Sequence, residues 1–124
     1  MCLIAVAHHM SEMFPLVIAA NRDELYDRPA RAAHAWDEDP RVLGGRDLRA
    51  GGSWLAVREG GRFAAITNLR LQRPDAPSRG MLVSNFVLSD IDAVSYANGI
   101  DRHVYAGFHL IVGDGDTVAH LMNA

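Results

Sequence analysis

Two apolar runs, CLIAVA at residues 2–7 and LVIAA at 16–20, flank HHMSEMFP and show no alternation of apolar and polar positions. A strand with one wet face alternates, so unbroken runs of this length predict strands covered on both faces. GSWLAVRE and RFAAITNL flank Gly60 and Gly61, and a glycine pair that tolerates positive φ predicts a hairpin there. The polar stretch from Arg22 to Gly51 holds two prolines and predicts loop, with a short strand near His34 to Trp36. Its length fits the wall of a site better than a linker.

Beyond RPDAPSRG the period changes. Leu82, Val83, Phe86 and Val87 fall on one helical face, and Ser89 with Asp92 offers a capping pattern for a second helix ending near Asn98 and Gly99. FHLIVGDGDTVAHLMNA then predicts a second hairpin, turning on GDGD at 113–116. Strand runs and helix runs segregate, so the class is α+β with antiparallel sheet, in a single domain over residues 1–124. The last strand reaches the final residue with nothing after it to pair or cap it, and the expectation is the front part of a longer protein, with an open edge that favours self-association.

Hydrophobic residues make up 49% of the chain and charged residues 22%, enough for a real core and too few charges for disorder. A net charge of −3 supplies no basic field, so no nucleic-acid partner is expected. All twelve basic residues are arginine, which removes Schiff-base and phosphate-loop lysine chemistry. One cysteine allows no internal disulfide, the apolar start lacks the basic flank of a secretory signal, and no run approaches membrane-spanning length. These features point to a cytoplasmic protein without membrane insertion. The histidines have no zinc-like spacing, and His8 and His9, directly after a strand, are expected on opposite faces. No metal site follows, and the arginines of RLQRPDAPSR read as a solvated loop.

Two stretches carry candidate chemistry. Cys2 stands immediately behind Met1, and burial as a small hydrophobe accounts for its surroundings but not for its position. AANRDEL ends an apolar strand in Asn21, Arg22, Asp23 and Glu24 together. Strand alternation places Asn21 and Asp23 on one face and Arg22 on the other, so only a chain that bends at Asn21 aims all three inward. A turn whose charges satisfy backbone groups is the alternative reading.

MCLI at the start, AANRDE at 19–24, RP at 28, GGRDLRAGGSWLAV at 44–57, FAAITNLR at 63–70 and SRG at 78 together resemble the NRDE family of transport and Golgi organisation proteins. The resemblance is specific to about residue 80 and weaker afterwards, and family members are about twice this long. It implies an N-terminal-nucleophile-hydrolase-like αββα sandwich. Removal of Met1 would give Cys2 both an α-amine, with a reference pKa of about 8, and a thiol of about 8.5, so one residue supplies base and nucleophile. Carried over, Cys2 attacks a small linear amide, Asp23 holds the amine, Arg22 favours the thiolate and Asn68 donates to the oxyanion. In related cysteine hydrolases the arginine lies three positions before the aspartate, which here is Ala20. Asn21, Gly52 and Trp54 are the candidate ligand contacts. The hydrolase needs no cofactor. The alternatives are a binding or trafficking protein, with haem or lipid handling and a thiol or histidine as iron ligand, and a structural half-domain.

Overall fold

An isolated two-stranded hairpin is marginal in water, and the first two strands gain support by lying on a larger sheet. The computed structural model describes residues 2–69 and 73–123. β1 (Ile4–His8) pairs antiparallel with β2 (Leu16–Ala20), placing Ile4 opposite Ala20 and His8 opposite Leu16. β3 (Ala30–Ala35), β4 (Val42–Asp47), β5 (Leu55–Arg58), β6 (Arg62–Asn68), β7 (Phe108–Asp114) and β8 (Val118–Asn123) form a second antiparallel sheet in chain order. Helices α1 (Gly80–Val87) and α2 (Ala93–Gly99) connect β6 to β7.

Period-two alternation decides what each face of the larger sheet buries. Ala64 and Ile66 of β6 stand beside Val112 and Leu110 of β7, and with Ala56 and Phe108 they meet Leu82, Val83, Phe86 and Val87 of α1 in one core. Each large apolar side chain buried there contributes roughly 1.5–3 kcal/mol. Arg62 is also buried here, stacked on the Phe86 ring and donating to the Phe86 and Ile91 carbonyls, so its charge sits where the C-terminal end of α1 is negative. On the opposite face Leu16 of β2 shares a shallow cleft with Ala35, Leu43 and Val57. The layers therefore run helices, six-stranded sheet, two-stranded sheet, in the order an αββα sandwich has, and the class is α+β. No helix among the described residues is long and apolar enough to cross a membrane.

Several local expectations are corrected. β1 and β2 are not covered on both faces: every described residue in them is exposed or half-buried, because one side of the pair leans on the sheet and the other is open. The stretch from Arg22 to Gly51 holds two strands rather than one, β3 and β4, with a bulge between Arg31 and His34. Asp92 itself is the N-cap of α2, accepting from Ser95 N–H, while the Ser89 hydroxyl donates back to Phe86. His8 and His9 do not part to opposite faces, since His9 adopts a φ of 56° and their ring centroids lie 4.0 Å apart. The Gly60–Gly61 hairpin forms as patterned, with φ of 92° and 88°.

Candidate functional site

The first ladder ends where the motif begins. Asn21 N–H donates to Leu3 O at 3.2 Å, and Asn21 Oδ1 accepts Leu3 N–H at 2.8 Å, so this side chain closes the strand pair where β2 ends. Beyond the strand both Arg22 and Asp23 line one cavity of about 500 Å³, where continued strand alternation would send them to opposite faces. Cys2, at the head of the partner strand, faces the same cavity, and the backbone N–H of Asp23 donates to its sulfur at 3.3 Å. Asn68, exposed at the C-terminal end of β6, and Trp54, just before β5, line it too.

Of the seven candidate positions, five converge on this cavity: Cys2, Arg22, Asp23, Trp54 and Asn68. Asn21 stands behind the wall as the clamp on Leu3, and Gly52 packs against the backbone of Gly80 at the start of α1. Arg22 lies over the Trp54 ring, 4.3 Å from its centroid, and makes no hydrogen bond or ion pair among the described residues.

The rest of the wall was not foreseen as functional. Arg28 forms a two-pronged pair with Asp47, Nε to Oδ1 at 3.1 Å and Nη2 to Oδ2 at 2.6 Å. Burial, the largest single influence, pushes the Asp47 carboxyl up, but the Arg28 hydrogen bonds and charge together with the Arg49 and Ala50 N–H groups outweigh it, and the net position is below the ordinary carboxylate value. Arg79, read as part of a solvated loop, is half-buried, donating to the Gly107 and Leu69 carbonyls at 2.6 and 3.3 Å. Burial lowers its pKa, yet a guanidinium keeps its proton. Arg73 donates to the His103 carbonyl, and Arg70 of the same stretch lies outside the described residues. Among the described residues no histidine lines the cavity, and Cys2 is the one described side chain there of a type that ligates haem iron.

Asp47 also accepts Arg49 N–H at 3.1 Å, so its carboxylate ties the loop after β4 to the segment before β3. A lowered folded pKa means that the stabilisation is full above the unfolded value of about 3.9 and is lost as pH falls through the folded value. Asp47→Asn should therefore lower the melting temperature at pH 6 and flatten its decline below pH 4, as read by circular dichroism. An unchanged acid limb would assign the acid sensitivity to other carboxylates.

Comparison with known proteins agrees with the motifs. The profile of the family described as Transport and Golgi organisation 2 matches residues 1–124. The Transport and Golgi organization 2 homologs of Mus musculus and Bos taurus are 40% and 42% identical to this chain, each alignment covering 89% of it and 44% of the relative. The Homo sapiens homolog is 37% identical over the same shares. The chain thus spans less than half the length of the curated relatives it matches. With the motif residues gathered at one cavity and a family match running from end to end, this chain belongs to the Transport and Golgi organisation 2 family.

Proposed function

We propose that this chain carries the nucleophile half of an N-terminal-cysteine amide hydrolase acting on a small linear amide. The observation that carries the reading is that the Cys2 sulfur and Asn68 face one cavity while Asp23, through its own N–H, orients that sulfur. With Met1 removed, the Cys2 α-amine takes the thiol proton as sulfur bonds to the amide carbon. Asn68 donates to the oxygen that gains charge. Collapse of the tetrahedral intermediate breaks the C–N bond, the ammonium returns the proton to the leaving amine, and water then hydrolyses the thioester. Asp23 is the carboxylate that holds the ammonium in place.

Intact mass of the protein from its native host is the first test, with loss of Met1 as the expected result and full retention sinking the mechanism. Turnover of a panel of linear amides follows. Asn68→Ala should lower kcat about 10²-fold with little change in KM, because an oxyanion donor acts mainly in the transition state. A change confined to KM contradicts that role.

A second reading, ligand binding without turnover, is favoured by one fact: the relatives' names speak of transport and Golgi organization and not of hydrolysis. Saturable binding of the same amides by the processed protein, with no product formed, decides for it.

A further inference from the structure

Among the described residues four arginines line the cavity, Arg22, Arg28, Arg73 and Arg79, and they differ in how their charge is met. Arg28 is neutralised by Asp47. Arg73 and Arg79 are held by backbone carbonyls, which fix a guanidinium's position and leave its charge in place. Glu24 also lines the wall, with its carboxylate bonded to Leu25 N–H at 2.9 Å and its field acting on Arg28 and Arg79. Arg22 lies on the Trp54 ring and bonds no acceptor among the described residues. A planar guanidinium lying on an indole is pre-organised, with its N–H edges directed outward, and that edge matches the two oxygens of a carboxylate or phosphate.

We propose that the ligand of this cavity bears an oxyanion, a carboxylate or a phosphate, gripped by the N–H edge of Arg22 on Trp54 and by the Arg79 nitrogens that bond no acceptor among the described residues. The inference rests on reading the cavity as the ligand site and adds the chemical class of that ligand; it does not depend on turnover. Arg22 supplies the bidentate contact, since no protein acceptor among the described residues competes for it. Arg79, anchored through one nitrogen to Gly107, supplies a second, stationary charge at low entropic cost. An anionic group held there leaves the uncharged part of the ligand to extend along the wall that carries the Cys2 sulfur.

The experiment titrates the intact Cys2→Ala chain with inorganic phosphate and, separately, with succinate, following heat and tryptophan fluorescence. Saturable binding of at least one probe is expected, weakened at least about tenfold in Arg22→Gln and partly recovered in Arg22→Lys, which restores charge without the fork. The probe that binds tells phosphate from carboxylate. Failure of both to saturate, or equal affinity in Arg22→Gln, overturns the proposal. Arg22 makes no hydrogen bond among the described residues, so its variants decide the matter even if Arg79→Gln does not fold. Anion binding without amide turnover leaves this inference standing while the hydrolase reading falls. Amide turnover with Arg22→Gln kinetics unchanged does the reverse.

Discussion

Cys2→Ala should eliminate amide hydrolysis, a loss of at least about 10³-fold, while shifting global stability by no more than about 1 kcal/mol. The two effects separate because the side chain occupies a special chemical position and an ordinary structural one. Its sulfur is half-buried, accepts a single N–H from Asp23 and belongs to no core cluster, so truncation empties little packed volume. The same sulfur is the only thiol in the chain, and no lysine exists to substitute as a nucleophile. Cys2→Ser should retain a trace of activity, since a hydroxyl attacks by the same route but gives up its proton less readily. Progress curves on the processed protein, beside thermal melts of all three forms, measure both effects. Hydrolysis persisting in Cys2→Ala would move the nucleophile elsewhere, and a large fall in melting temperature would make Cys2 a structural residue.

How far the sequence exposed this site depended on whether the relevant signal was local. Cys2 was legible from its place immediately behind Met1 and Asp23 from the polar cluster that ends an apolar strand, while Asn68 was named only through the resemblance to the family. That Arg22 and Asp23 line the same cavity was legible only as a condition, because it depends on the strand ending at Asn21, which bonds both backbone groups of Leu3. Arg28, Arg73 and Arg79 were not legible. What distinguishes them is a partner far along the chain, Asp47 for Arg28, His103 for Arg73 and Gly107 for Arg79, and no periodicity reports such a partner.

The fold divides in the same way. Hairpins closed by Gly60–Gly61 and by the Asp114–Thr117 turn were readable because the turn chemistry is adjacent to the strands it joins. β4 was missed because VLGGRD contains Gly44 and Gly45, residues depleted in strands. Their reason lies across the sheet: a Cβ on Gly44 would stand 2.8 Å from the Leu55 carbonyl oxygen, and one on Gly45 2.5 Å from the Trp54 ring. The absence of side chains there is what lets Trp54 lie close against β4 and present its face to Arg22.

A third glycine sets the site's other wall and carries the largest stability effect expected. At Gly52 a Cβ would meet the carbonyl carbon of Gly80 at 2.4 Å, its oxygen at 2.6 Å and Met81 N at 2.7 Å. All three are backbone atoms, so no side chain can swing aside, and relief requires α1 to move off the sheet. The Ser53 N–H to Gly80 O bond at 3.2 Å and the packing of Leu82 and Val83 would be disturbed together. Gly52→Val should therefore destabilise the fold by about 3 kcal/mol or more, a fall of roughly 10–15 °C in melting temperature. Gly51→Ala is the control, because its Cβ meets nothing within 4 Å and the cost there comes only from a φ of 84°, about 1 kcal/mol. Since Ser78, Arg79 and Gly80 line the cavity, Gly52→Val should also weaken anion binding below the melting transition. Equal melting temperatures for Gly52→Val and Gly51→Ala would show that α1 yields freely at its first turn, and the cavity wall would then be a movable one.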